Sequence, residues 1–314
     1  MLRVASELGY QPHVHARSLA QRRTSLVSAV IPMMTTYFFL EVLRGLQDGL
    51  AERGFDLLVY SARTMDNVEC QIARALQRGM SAGLCVFSSP LTPRNGAIVR
   101  ESGCPTVFVD CHHPQFDSVS MDNEVGGYVA TEHIISQGRS RVALVMGHPT
   151  SVPAADRRAG YERALTESGL PVDEEIIVAC GDEQNHGYSE QEGYAAMRRL
   201  LEIAVPPDAV FATSDVQALG VMTALRSAGL SVPDDVSVVG FDDLPLSRHI
   251  GLTTLRQPMY EMGRAASDKL AARIDRPDAP VTHTVFSPAL QTRRSTVAEA
   301  MEDRVAQRQE VPLA

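Results

Sequence analysis

Residues 26–60 read LVSAVIPMMTTYFFLEVLRGLQDGLAERGFDLLVY, and this stretch decides the fold. It opens with an apolar run at 26–32, which predicts a β-strand. Residues 37–53 repeat apolar side chains at helical spacing, and Gly54 follows them as a typical helix end. A second apolar run, 55–60, predicts the next strand. The order strand, helix, strand is the unit from which parallel sheets are built.

The same alternation continues through the rest of the chain. Further helices are predicted at 66–79, 92–102, 123–137, 155–168, 189–204, 216–228 and 259–274. Further strands are predicted at 83–88, 105–110, 119–121, 141–146, 175–180, 209–213, 236–241, 254–257 and 281–287. Strands this rich in Val and Ile predict parallel sheets with helices on both faces, and two such runs predict an α/β protein of two doubly wound lobes.

The segments are assigned to lobes by their order. Residues 25–124 with 258–282 are predicted to form lobe 1, and residues 125–257 with 283–297 to form lobe 2. The polar segment 298–314 is predicted to be a disordered tail.

Composition and charge narrow the class of protein. The chain is 44% hydrophobic and 21% charged, as is typical of a globular protein, and its longest apolar runs are too short to span a bilayer. The N-terminal residues lack the pattern of a secretory leader, and the five cysteines are scattered, so a cytoplasmic protein with reduced thiols is expected. The net charge is −9, yet residues 1–24 carry +3, which indicates an anionic partner at that end.

Catalytic and metal-binding motifs are not found. The sequence has no GxSxG elbow, no GxxxxGK[ST] phosphate loop and no GxGxxG after the first strand, so no enzyme activity is predicted. The run Asp110-Cys-His-His113 has adjacent metal-ligand types but no second pair spaced for a tetrahedral site. We therefore expect neither a metal nor a cofactor.

Ligands of parallel sheets bind beyond the carboxyl ends of the strands. The positions there are rich in carboxylates, hydroxyls and aromatic rings, a mixture suited to a polyhydroxylated or heterocyclic ligand. They are 35–39, 88–89, Asp110, Asp122, 147–157, 181–188, 214–215 and 242–243.

Several short motifs, distributed over about residues 1–295, occur in the order and at the spacing of a known protein family. They are Glu7-Leu-Gly-Tyr-Gln-Pro12, Ala16-Arg-Ser-Leu19, Phe38-Phe39-Leu-Glu41, Asp122-Asn123, Arg157-Arg-Ala-Gly-Tyr161, Gly193-Tyr194, Ser214-Asp215, Val232-Pro-Asp-Asp-Val-Ser237, Gly240-Phe-Asp-Asp243 and Thr253-Thr-Leu-Arg-Gln-Pro258. In this arrangement the chain resembles the LacI/GalR transcription regulators. That resemblance implies periplasmic-binding-protein-like lobes joined by three crossovers.

The resemblance also implies how the chain would meet DNA. Residues 1–24 correspond to the last headpiece helix and the hinge helix, while the family's helix-turn-helix is expected to be missing. Leu19 matches the leucine that wedges a base step in the minor groove, flanked by Arg17 and Ser18. Operator DNA is therefore an expected partner only if the headpiece is present.

The implied function is a homodimeric, ligand-responsive regulator, in the family's usual case a repressor. Its effector is expected to be a sugar, with a nucleobase or a sugar acid as alternatives. The remaining alternative is a solute-binding protein of the same architecture without DNA-linked activity. Strand ends and resemblance together predict eight ligand-binding residues: Phe38, Phe39, Ser88, Arg157, Tyr188, Ser214, Asp242 and Gln257.

Other residues near the strand ends have structural interpretations. Adjacent helix positions diverge by about 100°, so one of Phe38 and Phe39 is expected in the core. Asp215 is predicted to cap the helix that follows it, since Asp is a preferred cap residue. Asp243 is predicted to be a turn or cap residue, and Asp122 could serve either lobe structure or the ligand.

Overall fold

The computed structural model describes residues 24–34, 36–62, 67–77, 80–89, 92–181 and 186–297. The predicted hinge residues Arg17, Ser18 and Leu19 and the predicted tail 298–314 lie outside the described residues. No helix in the described ranges is both long and apolar enough to cross a membrane.

Strands and helices alternate along the described chain as predicted. The elements are β1 (Leu26–Ile31), α1 (Tyr37–Ala51), β2 (Asp56–Ser61), α2 (Val68–Ala75), β3 (Gly83–Phe87), α3 (Pro93–Ser102), β4 (Thr106–Val109), β5 (Asp117–Met121), α4 (Asn123–Ser136), β6 (Val142–Met146), α5 (Val152–Glu167), a 3-10 turn (Glu174–Ile176), β7 (Ile177–Ala179), α6 (Glu190–Glu202), β8 (Ala209–Ala212), α7 (Asp215–Ser227), β9 (Ser237–Asp242), α8 (Pro245–His249), β10 (Thr253–Arg256), α9 (Met259–Asp275), β11 (His283–Phe286) and β12 (Ala289–Gln291).

The strands form two sheets, one in each lobe. The first has the order β11-β5-β4-β3-β1-β2 and is parallel throughout. The second has the order β12-β10-β9-β8-β6-β7 and is parallel except for the antiparallel pair of β10 and β12. Each sheet has a hydrophobic core on both faces, which is why central strands such as β3 and β6 are buried along their whole length. The predicted two-lobed α/β fold is confirmed.

Between the described elements the chain crosses from one lobe to the other three times: after β5, after β10 and between β11 and β12. One predicted boundary is wrong, because 283–297 was assigned to lobe 2. The strand His283–Phe286 pairs in parallel with β5 and so extends the edge of the first sheet. Only β12 and the residues after it join the second lobe. The sequence of a single edge strand does not indicate which of the two sheets it will join. The short α8 and β12 were not predicted, because neither is long enough to show periodicity.

Reciprocal glycines let three pairs of helices approach backbone to backbone. Ideal β-carbons built on these glycines would lie 2.0–2.2 Å from a carbonyl oxygen of the partner helix, far inside contact distance. The pairs are Gly45 with Gly263 (α1 and α9), Gly127 with Gly160 (α4 and α5), and Gly193 with Gly220 (α6 and α7). The α4–α5 pair matters most for the cleft between the lobes, since α5 carries Arg157.

Candidate ligand-binding cleft

A cleft opens where the carboxyl ends of the two sheets face each other. Its cavity volume is about 80 Å³. A cavity needs about 10–15 Å³ to hold one water molecule. The cleft can therefore hold a molecule several times larger than water. All eight residues predicted to bind ligand line it. The full lining is Pro32, Met33, Thr36, Tyr37, Phe38, Phe39, Ser88, Asp110, Ser151, Pro153, Arg157, His186, Tyr188, Ser214, Val216, Asp242, Leu244 and Gln257.

Backbone strain is concentrated around this cleft. Ser88, Asp110, His186 and Asp242 have φ values of 44°, 59°, 51° and 130°, in a region that L-residues seldom adopt. In the described part of the chain, Asp243 at 57° is the only other non-glycine residue with positive φ, and it follows Asp242 directly. Such strain persists only where the surrounding fold imposes it, and it is typical of functional sites.

Asp110 directly follows β4 and contributes a carboxylate from lobe 1. Its Oδ2 accepts a hydrogen bond of 2.6 Å from the Ser88 hydroxyl, while its buried Oδ1 has no partner among the described residues. Burial raises the pKa of Asp110 to about 6, against the opposing effects of the Ser88 hydrogen bond and the Arg157 charge. Ionisation of this carboxyl group is therefore costly, and among the described residues only one of its two oxygens has a hydrogen-bond partner.

Asp242 ends β9 and contributes a carboxylate from lobe 2. Its Oδ1 accepts a 2.6 Å hydrogen bond from Gln257 Nε2, and this bond turns the amide oxygen of Gln257 away from the carboxylate. That oxygen is buried and has no partner in the described ranges. Burial, followed by the nearby charge of Asp215, raises the pKa of Asp242 to about 8, although Arg157 and Gln257 oppose the shift.

Arg157 is buried in the wall of the same cleft and is held by the protein. Its Nε donates to Asn123 Oδ1 at 2.8 Å and its Nη1 to the carbonyl oxygen of Thr213 at 2.6 Å. The guanidinium carbon lies 3.7 Å from the centre of the Phe241 ring, a cation–π contact. The guanidinium is therefore fixed in place before any ligand arrives.

Aromatic residues form the apolar part of the wall. Phe39 is buried and packs in the lobe 1 core against Phe87, whereas Phe38 is half-buried. The prediction that one of the two belongs to the core is confirmed. Tyr188 reaches the cleft from lobe 2, and its hydroxyl hydrogen-bonds with that of Ser151 at 3.1 Å. Its ring passes so close to Gly147 that a β-carbon there would lie 2.5 Å from Cζ.

The predicted cap role of Asp215 is wrong. Ser214 is the N-cap of α7, its hydroxyl accepting from the Gln217 amide at 3.2 Å. Asp215 is the first helical residue, and its buried carboxylate accepts three hydrogen bonds: from Thr254 Oγ1 to Oδ1, and from the Leu244 amide and Ser247 Oγ to Oδ2. It therefore fastens the segment that follows Asp242.

Two other carboxylates serve lobe structure. Asp122 caps α4 by accepting from the Val125 amide at 3.0 Å. Asp243 forms ion pairs with Arg256 and Arg293 at 2.6 and 2.5 Å, and these charges help hold its pKa below the usual range against the effect of burial.

The residues 110–113 are dispersed in the structure. Asp110 faces the cleft, the Cys111 thiol donates to backbone carbonyls, His112 packs on His283 and His113 packs on Phe108. Among the described residues, no group of three or more His, Cys, Asp or Glu side chains is placed to hold a metal ion.

Sequence reasoning gave no ligand-binding role to ten lining residues. Thr36, Tyr37, Asp110, Ser151, Pro153 and His186 do lie within the predicted strand-end positions, which is the signal that could have found them. The remaining four, Pro32, Met33, Val216 and Leu244, are apolar and resemble core residues in sequence.

Known proteins resemble the chain over nearly its whole length. The family described as "Periplasmic binding protein-like domain" matches residues 131–296. The HTH-type transcriptional repressor PurR of Vibrio atlanticus is 30% identical over 300 residues, covering 94% of this chain and 88% of PurR. The ribose operon repressor of Escherichia coli K12 is 32% identical over 294 residues, covering 92% of this chain and 87% of that repressor.

A solved structure extends the similarity to three dimensions. The complex of the transcriptional regulator CelR with cellobiose has a TM-score of 0.79 and 30% identity, covering 93% of this chain and 88% of CelR. These relatives are transcription regulators, not enzymes. The chain belongs to the LacI/GalR family of transcriptional repressors, and its two lobes are the effector-binding domain of that family.

Proposed function

We propose that this effector-binding domain senses a sugar, which binds in the cleft between the lobes. One observation carries the proposal. Four buried side-chain polar atoms in the described residues lack a hydrogen-bond partner, and three of them belong to residues that line this cleft: Thr36 Oγ1, Asp110 Oδ1 and Gln257 Oε1. Leaving a buried polar group unpaired costs about 1–3 kcal/mol. A polyhydroxylated ligand that pairs with all three would recover that free energy.

The remaining wall also suits a sugar. Phe38 and Tyr188 offer ring surfaces to the apolar face of a pyranose or furanose, and Arg157 offers guanidinium donors to ring and hydroxyl oxygens. Two relatives support this class by what their names state: one is a ribose operon repressor, and the other is in complex with cellobiose.

Regulation is proposed to follow from linkage between the lobes and DNA. A ligand that contacts both lobes favours the interlobe geometry in which both contacts are made, and it shifts the equilibrium by its difference in affinity for the two states. In a homodimer this would change the spacing of two hinges. Arg17, Ser18 and Leu19 are the residues proposed to contact the DNA minor groove.

A thermal-shift panel of pentoses, hexoses and nucleobases tests the sensing function. A sugar at 100 times its dissociation constant should stabilise the chain by about 2.7 kcal/mol. Arg157→Lys should lose most of that shift, because an ammonium cannot reproduce the planar fork of donors. Arg276→Lys, at an exposed position after α9, is the matched control and should keep it. A nucleobase that stabilises the chain where no sugar does would contradict the proposal.

Sedimentation tests the proposed dimer. The wild-type chain should sediment as a dimer at micromolar concentration, with and without sugar. A monomer under both conditions would contradict the hinge-spacing mechanism but not the binding of sugar in the cleft.

A further inference from the structure

We propose that the cleft selects its effector by charge: it binds a neutral sugar that donates hydroxyl hydrogens to both lobes, and it rejects the acid and the phosphate ester of that sugar. The inference rests on the proposed sugar-sensing function and specifies the class of sugar. It follows from counting which polar atoms of the wall are already paired and which are not.

The unpaired atoms of the wall are mainly hydrogen-bond acceptors. Asp110 Oδ1 on lobe 1 is an acceptor when the carboxyl is ionised, and Gln257 Oε1, beside Asp242 of lobe 2, is an acceptor at any pH. The hydroxyl of Thr36 can either donate or accept a hydrogen bond. A ligand that completes this wall must therefore donate hydrogen bonds toward both lobes.

The donors of the described wall are mostly engaged by the protein. The Ser88 hydroxyl donates to Asp110, and the Ser214 hydroxyl donates to Gln217 Oε1 at 3.2 Å. The hydroxyls of Ser151 and Tyr188 bond to each other. Arg157 has already committed Nε and Nη1 to the oxygens of Asn123 and Thr213. These two bonds use two of the five guanidinium hydrogens, so the donors that remain for a ligand lie chiefly on Arg157.

The charges of the wall act in the same direction. Two carboxyl groups, Asp110 and Asp242, face one guanidinium, that of Arg157. An anionic ligand would add a negative charge beside the ionised Asp110 and the partly ionised Asp242, in a buried site where like charges are screened poorly. A hydroxyl, in contrast, donates to a carboxylate without adding charge, and an amine in its place would be tolerated at least as well.

Matched sets of sugars test the inference. The sets are D-ribose, D-ribonate and D-ribose 5-phosphate; D-glucose, D-gluconate and D-glucose 6-phosphate; and D-glucosamine as the cationic analogue of glucose. Affinities are measured by titration calorimetry on the intact chain at pH 7.5. In the set whose neutral sugar binds, the acid and the phosphate should bind roughly 100-fold more weakly. An acid or phosphate that binds as tightly as the neutral sugar would overturn the inference.

A charge-removing variant separates selection by charge from simple lack of fit. Asp110→Asn should narrow the gap in affinity between the neutral and the anionic sugar roughly tenfold, because it removes one negative charge and adds an amide donor. Asp278→Asn removes the same charge from an exposed loop and should leave the gap unchanged. Circular dichroism confirms that both variants are folded. An unchanged gap in folded Asp110→Asn would overturn the inference, whereas a panel in which no sugar binds would overturn the proposed sugar function itself.

Discussion

The backbone carbonyl of Arg157 lies against the α-carbon of Gly127. A β-carbon on Gly127 would be 2.0 Å from that oxygen, and one on Gly160 would be 2.0 Å from the carbonyl oxygen of Glu124. Helices α4 and α5 therefore meet without intervening side chains. We therefore expect the position of the Arg157 guanidinium in the cleft to depend on this contact as well as on its own hydrogen bonds.

Gly127→Ala should consequently damage both stability and binding. The added methyl group must push α5 away, and overpacking of this kind costs about 1–3 kcal/mol. The displaced Arg157 should weaken sugar binding by more than tenfold. Urea unfolding and calorimetry measure the two effects. Gly181→Ala is the control, since no described residue lies within 4 Å of a β-carbon built there. Wild-type affinity in Gly127→Ala would show that Arg157 does not depend on this helix contact.

The carboxylate of Asp215 is expected to hold the cleft segment that follows β9. Its Oδ2 accepts from the Leu244 amide at 2.8 Å and from the Ser247 hydroxyl at 2.5 Å. Asp215→Ala removes these acceptors and leaves the donors buried, which should cost about 2–4 kcal/mol. Hydrogen exchange should quicken at residues 243–249 more than elsewhere in lobe 2. Uniform change across lobe 2, with no local excess, would contradict the fastening role.

The protein should become less stable against unfolding as pH rises, because of Asp242. Its pKa is about 8 in the folded chain and near 4 when unfolded, so between these values the folded state binds more protons. The free energy of unfolding contributed by this group therefore decreases as pH rises from about 4 to about 8. Asp242→Asn removes the effect, so the variant should gain stability relative to wild type across that window. Urea unfolding at pH 5.5 and 8.5 measures the difference, and a gain equal at both values would contradict the assignment.

Much of this arrangement could be predicted from sequence because its signals are local. Apolar runs between helical periods predicted the two parallel-sheet lobes, and the strand-end rule together with the family motifs predicted the eight lining residues. The pairing of His283–Phe286 with the first sheet and the role of Asp215 were mispredicted, because each depends on partners distant in the chain: β5 in one case, Leu244, Ser247 and Thr254 in the other. Asp110 was placed at a strand end, but its unpaired buried oxygen is visible only in three dimensions.

Binding of a neutral sugar should release protons and tighten as pH rises. Burial and the charges of Asp215 and Asp110 raise the pKa of Asp242 in the free chain, while Arg157 lowers it. A sugar hydroxyl that donates to the carboxylate favours the ionised form and so lowers this pKa in the complex. Between the two pKa values the affinity should rise by up to about tenfold per pH unit, reaching a plateau above about pH 8.

Calorimetry at pH 6, 7 and 8, in buffers of different ionisation heat, measures both the affinity and the protons released. Asp242→Asn should flatten the dependence and Asp278→Asn should preserve it. An affinity that instead rises toward low pH would mean that the protonated carboxyl donates to the ligand, the behaviour expected of a site built for an anion.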